Sequence, residues 1–209
     1  MALGAQIKKD ELSYTDRRRA AIEDAAYAVL AEKGYKAASM LEIAKRAGAS
    51  NETLYKWYGN KQGLFRSLIE GNAAQVTGMI DASLAQSGAQ PALDVLQPIG
   101  EALLKVLTSD RAIAINRAAA GDVHDTGTLG AALAEGGRGT VLPRVAEVLG
   151  RVTGHGEPMQ LAETWLALLV GDLQVRLVTG QAEAPAASDI KRRAQGAVSA
   201  IRTIYLSTA

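Results

Sequence analysis

A short stretch of the chain, residues 39–61, concentrates the side chains that proteins use to hold nucleic acid. It reads SMLEIAKRAGASNETLYKWYGNK. Serine, threonine and tyrosine hydroxyls and the lysine ammonium bind phosphate oxygens, whereas asparagine, glutamate and lysine side chains recognise the edges of bases. The chemistry that this stretch predicts is therefore binding to phosphates and bases rather than the making of bonds.

Two short helices are expected to position these side chains. Ser39 begins an S-x-x-E capping box, which predicts a helix over about residues 40–47. Gly48 suits the turn that follows, because glycine adopts positive φ without steric cost. Ser50 can then cap a second helix over residues 51–58. Two short helices joined by a tight turn are typical of a helix-turn-helix unit, whose second helix enters the major groove of DNA.

The faces of these helices separate packing from binding. Leu54 and Tyr58 lie four residues apart, so both can face the core, where Ile43, Ala44 and Ala47 of the first helix brace them. The outward residues of the second helix are Asn51, Glu52, Thr53, Tyr55, Lys56 and Trp57. Hydroxyl groups among them can donate to phosphate, and the lysine can reach phosphate or guanine.

The helix ends add further phosphate-binding groups. Ser39 and Ser50 lie at helix N-termini, whose free N–H groups attract phosphate. Lys61 opens the next helix, where its charge can meet the flanking DNA backbone. Tyr55 and Trp57 could instead be core aromatics, but they do not share the core-facing side of their helix, so helical geometry favours DNA.

Composition and charge narrow the class of protein. Of the 209 residues, 48% are hydrophobic but only 4% aromatic, a balance that favours helices over strands. The absence of cysteine excludes disulfides and cysteine-based zinc sites. No apolar run reaches bilayer length and no signal-peptide core is visible, so we expect a cytoplasmic protein. Residues 1–70 carry 12 Lys and Arg against 9 Asp and Glu, whereas residues 71–209 carry 11 against 13.

Apolar periodicity and capping residues predict an all-α protein of about nine helices. Residues 1–15 are expected to be a flexible arm, and Gly34 to cap the end of the first helix. Another helix is expected over about residues 91–107, with a kink at Pro98. A single long helix is expected over about residues 158–179.

Residues 16–76 resemble the DNA-binding domain of tetracycline-repressor-type (TetR-family) regulators. The matching positions are Gly34-Tyr35, Ser39, Ile43-Ala44, Gly48-Ala-Ser50, Thr53-Leu-Tyr-Lys-Trp-Tyr58 and Lys61. Two positions depart from the family pattern: Ala49 replaces the usual valine, and Gln62 replaces the usual glutamate. Neither departure removes a phosphate contact.

The resemblance implies a three-helix helix-turn-helix domain over residues 16–76, with its motif at 39–58, and a C-terminal helical ligand-binding and dimerisation domain over residues 77–209. It implies a homodimeric repressor of a palindromic operator. A small-molecule effector would change the separation of the two recognition helices, which otherwise fit major grooves about 34 Å apart. No cofactor and no metal site is implied.

The family's DNA contacts carry over by residue type to this sequence. The contacts implied by the resemblance are at Ser39, Ser50, Thr53, Tyr55, Trp57 and Lys61. Base recognition is then expected from Asn51, Glu52 and Lys56. Leu41 occupies a position on the first helix of the motif where an apolar contact to a thymine methyl is expected.

The last two helices of the C-terminal domain are expected to form a four-helix contact between two copies, because they carry many large apolar side chains for a small body. The predicted interface consists of Trp165, Leu166, Leu169, Val170, Leu173, Leu177, Ile190, Ala194, Val198, Ile201 and Tyr205. Plain core is the alternative for these residues. The residues considered for an effector pocket are Leu103, Val106, Leu107, Ile113, Asn116, Arg117, Leu133 and Trp165, but such residues are more often plain core, so none is assigned to a pocket.

Two other functions stay open at this point. The first is a ligand-independent activator or constitutive regulator, which a solidly packed C-terminal domain would favour. The second is a helical enzyme or interaction module with a vestigial DNA-binding head. For an enzyme the sequence offers only His124 between Asp122 and Asp125, and it has no P-loop, dinucleotide, nucleophile-elbow or metalloprotease motif.

The partners implied by the resemblance are operator DNA, a second copy of the chain and a small-molecule effector.

Overall fold

The computed structural model describes the backbone of residues 2–86, 93–154 and 156–206, and the side chains of residues 14–85, 93–154 and 156–204 among them. Every regular element in these ranges is helical, which confirms the all-α class. The helices are α1 (Ala2–Ala37), α2 (Met40–Arg46), α3 (Asn51–Tyr58), α4 (Lys61–Gln86), α5 (Leu96–Leu107), α6 (Asp110–Asp122), α7 (Thr128–Ala132), α8 (Gly139–Thr153), α9 (Pro158–Val170), α10 (Leu173–Val178) and α11 (Ala187–Leu206). None of these described helices is long and apolar enough to cross a bilayer.

The chain forms two compact units. The first comprises Met1–Leu68 together with Ala118–Gly130, and the second comprises Ile69–Arg117 together with Ala131–Ala209. The first part of this unit therefore ends inside α4, eight residues before the boundary predicted at residue 76. The unit also includes the end of α6. Helices α4 and α6 each begin in one unit and end in the other, and each continues without a break at the boundary.

The first unit buries apolar side chains from α1 to α4. These residues are Ile22, Val29, Ile43, Leu54, Leu64 and Phe65, each 0% exposed. Tyr35 packs edge-on against Phe65, with ring centroids 5.3 Å apart. At Gly34 the backbone turns to φ 73°, so this residue interrupts the first helix, but α1 resumes and ends at Ala37 rather than at the predicted cap.

Three local predictions require correction. Helix α1 begins at Ala2 where an arm was expected over residues 1–15, because this segment lacks proline and is rich in helix-forming residues. Pro98 falls in the first turn of α5, where its missing N–H has no helical partner to lose, so it starts the helix instead of kinking it. The helix predicted over residues 158–179 is divided into α9 and α10 at Gly171, where φ is 51° and ψ is −132°.

Most residues of the predicted dimer interface lie in the core of the second unit, which is the alternative that the sequence left open for them. Helix α11 packs on α5 and α9 of the same chain, so the apolar stripe is already covered. The buried members are Trp165, Leu169, Leu173, Leu177, Ile190, Ala194, Val198 and Ile201, all at most 6% exposed. Leu166 and Val170 line a cavity of the second unit, and the side chain of Tyr205 lies outside the described residues.

Candidate nucleic-acid interface and cavity

Side-chain caps hold α2 and α3 at their N-termini. The Ser39 Oγ accepts a hydrogen bond from the Glu42 N–H at 3.3 Å, and the Ser50 Oγ accepts one from the Thr53 N–H at 3.0 Å. Both predicted caps are therefore confirmed. The Ser50 and Thr53 hydroxyl oxygens are also 2.8 Å apart, so one hydroxyl donates to the other and a single O–H of the pair is left to reach phosphate.

The turn between the two helices depends on Gly48. Its φ is 61°, a left-handed conformation that a residue with a Cβ adopts at a cost. The Gly48 N–H donates to the Lys45 carbonyl at 3.3 Å, and the Ala49 N–H donates to the Ala44 carbonyl at 2.9 Å. These two backbone hydrogen bonds form the turn that ends α2, and α3 begins after this turn.

Charged contacts brace α2 against α1. Arg46 makes two hydrogen bonds of 2.6 Å to the carboxylate of Glu32. This contact lowers the pKa of Glu32, chiefly through the hydrogen bond from Arg46. The Lys33 ammonium lies 2.5 Å from the carboxylate of Glu42. The inner face of α2 is thus held by ion pairs at its rim and by buried Ile43 in its centre.

The outer face of α3 carries the exposed polar residues that the sequence predicted. Asn51, Glu52 and Lys56 are exposed, and Tyr55 is 50% exposed, whereas Leu54 between them is fully buried. Leu41 on α2 is also 52% exposed. Thr53 and Trp57 are half-buried, and the Trp57 ring meets the neighbouring Tyr58 ring edge-on. The α3 side chains thus share one accessible helix, Leu41 lies on the neighbouring α2, and the contacts of all of them with DNA stay a prediction.

Lys61 has a structural partner that the sequence did not suggest. Its ammonium donates to the Tyr35 carbonyl at 2.8 Å and to the Lys36 carbonyl at 3.4 Å, and it lies 4.3 Å from the centroid of the Tyr35 ring. Burial lowers the pKa of Lys61, and Asp122 partly offsets that shift. These contacts use part of the donor capacity of the ammonium at the end of α1, so fewer N–H groups remain for a phosphate.

Sequence reasoning missed Gly63, the third residue of α4, which lies against the carbonyl at the end of α3. The Gly63 N–H donates to the Asn60 Oδ1 at 2.8 Å, so Asn60 caps α4. A Cβ on residue 63 would lie 2.0 Å from the Tyr58 carbonyl oxygen, so only glycine fits there. The signal available in the sequence was an asparagine cap followed three residues later by glycine.

Asp122 organises the part of the first unit that α6 contributes. It is 3% exposed, and its carboxylate accepts hydrogen bonds from the Thr126 hydroxyl at 2.7 Å and the Leu129 N–H at 3.4 Å. Burial raises the pKa of Asp122, but hydrogen bonds from Thr126, Leu129 and Thr128 outweigh it and bring the pKa below 3.8. Neighbouring His124 is exposed, and no three metal-ligating side chains cluster among the described residues.

The second unit contains a cavity of about 510 Å³ that is partly open to solvent. Its walls come from α4 to α6, α8 to α10 and the π-helical segment Leu133–Arg138 that joins α7 to α8. Six of the eight residues considered for a pocket do line it: Leu103, Val106, Leu107, Asn116, Leu133 and Trp165. Ile113 and Arg117 do not, and the Arg117 guanidinium instead donates to the carbonyls of Leu177 and Val178, both at 2.8 Å.

Two family models match the chain. The model described as bacterial regulatory proteins of the tetR family matches residues 22–68. The model of the C-terminal domain of AefR-like transcriptional repressors matches residues 94–207. The first match contains the helix-turn-helix residues, and the second contains most of the cavity walls.

Individual relatives agree with these matches. A TetR transcriptional regulator from Agrobacterium tumefaciens is 32% identical, with a TM-score of 0.69, and the similarity covers 90% of this chain and 94% of that one. A TetR-family regulator from Mesorhizobium loti MAFF303099 is 26% identical, with a TM-score of 0.76 over 91% and 97% of the two chains. The uncharacterised HTH-type transcriptional regulator YvkB of Bacillus subtilis is 40% identical over 53 residues, which are 25% of this chain and only 28% of YvkB.

Proposed function

Because the chain belongs to the tetR family of bacterial regulatory proteins and is a DNA-binding transcriptional regulator, we propose that it acts as a homodimeric repressor that a small molecule releases from a palindromic operator. The observation that carries this proposal is that α3 has one buried apolar side and one exposed polar side. Its Leu54 is buried, while Asn51, Glu52, Tyr55 and Lys56 are exposed together on the opposite side. An amphipathic helix with this polar face suits the major groove, because amide, carboxylate and ammonium groups can meet base edges there.

Dimerisation is proposed through the outward faces of the C-terminal helices, since their inward faces are occupied. Large apolar side chains remain exposed on this part of the chain: Leu168 of α9 is 42% exposed, Val175 of α10 is 65% exposed, and Ile204 of α11 is 51% exposed. Gly196 in the middle of α11 has open space beside it, which permits a close approach of a second helix. A two-fold dimer places two copies of α3 on successive major grooves, about 34 Å apart.

Release by an effector is supported by the continuity of α6. Ile115 and Asn116 of this helix line the cavity, and its next residues, from Ala118 onward, belong to the first unit. A molecule in the cavity that displaces α6 therefore acts on a helix whose other end is packed with the DNA-binding elements. A cavity also favours effector control over a ligand-independent regulator, which would suit a solidly packed domain.

The proposal is tested by selecting binding sites for the full chain from random duplex DNA and measuring affinity by fluorescence anisotropy. A palindromic site is expected, bound by two copies. Tyr55→Ala and Lys56→Ala are each expected to weaken binding about tenfold, from the loss of one or two contacts per subunit. Lys105→Ala on α5 is the matched control, because it removes an exposed lysine of the second unit.

Two results would contradict the proposal. One is the absence of a selected palindrome at low salt. The other is an affinity that Tyr55→Ala and Lys56→Ala reduce no more than Lys105→Ala does. The salt dependence gives an independent measurement for Lys56→Ala, because each lost contact between a lysine and a phosphate reduces the magnitude of the slope of log affinity against log salt by about 0.9.

A further inference from the structure

We propose that the cavity of the second unit takes an uncharged, mainly apolar molecule that carries a hydrogen-bond acceptor. This inference rests on the proposed function only in treating the cavity as the effector site. It follows from three features of the lining: its volume, its balance of charge and one buried donor. Each feature excludes a different class of ligand.

The volume and the walls favour an apolar molecule. About 510 Å³ lies within the range of about 300–1,000 Å³ that is usual for small-molecule sites. Most of the walls are aliphatic, with side chains such as Val76, Leu103 and Leu142 from three different helices. A ligand of two or three rings, or an equivalent branched chain, can bury its surface against such walls.

The charged groups of the lining neutralise each other. Among the described residues, Arg138 of the π-helical segment and Glu163 of α9 are the charged side chains that line the cavity. Their closest nitrogen and oxygen atoms are 3.5 Å apart. An anionic ligand would compete with Glu163 for the guanidinium, and a cationic ligand would compete with Arg138 for the carboxylate. A charged ligand of either sign therefore meets no unpaired opposite charge in the lining, which favours a neutral ligand.

Trp165 supplies a buried donor without an acceptor. This lining residue is 0% exposed, and its indole Nε1 has no hydrogen-bond partner among the described residues. An indole N–H can only donate, so its hydrogen-bonding capacity is met only if an acceptor comes to it. Asn116, another polar lining residue, already donates from its amide nitrogen to the Ala112 carbonyl at 2.8 Å. Because this N–H is buried, a carbonyl or ether oxygen of the ligand reaches it only as neighbouring side chains move, and there it supplies the missing acceptor.

Three matched probes separate these requirements. Diphenylmethane is apolar without an acceptor, benzophenone adds a carbonyl in nearly the same shape, and 4-benzoylbenzoate adds a negative charge to that ketone. Binding to the full chain is measured for each by equilibrium dialysis without DNA. Benzophenone is expected to bind about tenfold more tightly than diphenylmethane because of the hydrogen bond. It is expected to bind about fivefold more tightly than 4-benzoylbenzoate, since the half-exposed ion pair is screened by solvent.

Two variants assign the effects to residues. Glu163→Gln leaves Arg138 without its partner, so affinity for 4-benzoylbenzoate is expected to rise about fivefold while that for benzophenone changes less than about twofold. Glu147→Gln on α8 is the matched control, because Glu147 pairs with Arg144 and Arg151 but does not line the cavity. Trp165→Phe is expected to abolish the preference for benzophenone over diphenylmethane. If the Phe variant does not fold, the three probes on the unaltered chain decide the acceptor requirement.

The inference is overturned if diphenylmethane binds as tightly as benzophenone, if 4-benzoylbenzoate binds more tightly than benzophenone, or if Glu163→Gln behaves like Glu147→Gln. Failure of all three probes to bind would overturn it as well. These measurements contain no DNA, so they stand apart from the operator experiment: a chain that binds benzophenone but selects no palindrome contradicts the proposed function and leaves this inference intact.

Discussion

Replacing Gly63 with alanine is expected to separate the recognition helix from the helix that follows it. The new Cβ would lie 2.0 Å from the Tyr58 carbonyl oxygen and 3.2 Å from its carbonyl carbon. Both atoms are backbone, so no side-chain rotation relieves the contact. Cβ atoms in proteins essentially never come within 3.0 Å of such atoms, which means that the end of α3 and the start of α4 must move apart by at least 1.0 Å.

The cost of this movement can be set against the gain in helix propensity. Forced overpacking of a well-packed site costs about 3 kcal/mol at the upper end of its usual range. Alanine in place of glycine stabilises a helix by about 1 kcal/mol, which leaves Gly63→Ala less stable by about 2 kcal/mol. Gly78→Ala is the matched control in the same helix, because nothing lies within 4 Å of its Cβ position, and it is expected to gain about 1 kcal/mol.

Both variants are measured by urea unfolding, followed by circular dichroism, and by anisotropy on the selected operator. Gly63→Ala is expected to lower the free energy of unfolding and to weaken operator binding more than its stability loss alone explains, because α3 is displaced. Gly78→Ala is expected to bind the operator normally. Equal stability of the Gly63 variant and the unaltered chain, together with unchanged operator affinity, would refute the packing argument.

Three further predictions concern stability. Lys61→Met keeps the aliphatic stem but removes the donor to the Tyr35 carbonyl, so unfolding without DNA should cost about 1 kcal/mol less; no change would indicate that the ammonium serves only phosphate. The hydrogen bonds to Asp122 depress its pKa, so the stability that they contribute is present above pH 3.8 and is lost as the pH falls through the folded-state pKa. The acid-unfolding curve of Asp122→Asn should lack this loss. Identical curves for the variant and the unaltered chain would contradict this prediction. Gly196→Ala should stabilise the isolated chain by about 1 kcal/mol but weaken self-association in sedimentation experiments, whereas unaltered association would place the dimer contact elsewhere.

The DNA-binding motif was readable from the sequence because its determinants are local. Ser39 and Ser50 cap helices that begin at the next residue, and Gly48 supplies a turn that other residues adopt at a cost. The four-residue spacing of Leu54 and Tyr58 identified the inward face of α3, and Leu54 is indeed fully buried. All of these signals act within one or two helical turns, where amino-acid type and periodicity carry the information.

Other features were decided by partners that are distant in the sequence. The Lys61 ammonium meets the Tyr35 carbonyl 26 residues away, so a residue read as a phosphate contact also ties two helices together. An apolar stripe looks the same whether it faces its own core or a second copy, and only the packing of α11 on α5 and α9 showed that Trp165 and Ile201 are core. The cavity likewise exists because residues from α4 to α10 meet around an unfilled space, which no periodicity in any single helix encodes. By itself the sequence determined the two helices of the motif, their caps and the exposed polar face of α3. The tertiary structure alone decided which apolar faces pack within one chain and which surfaces remain for a partner or a ligand.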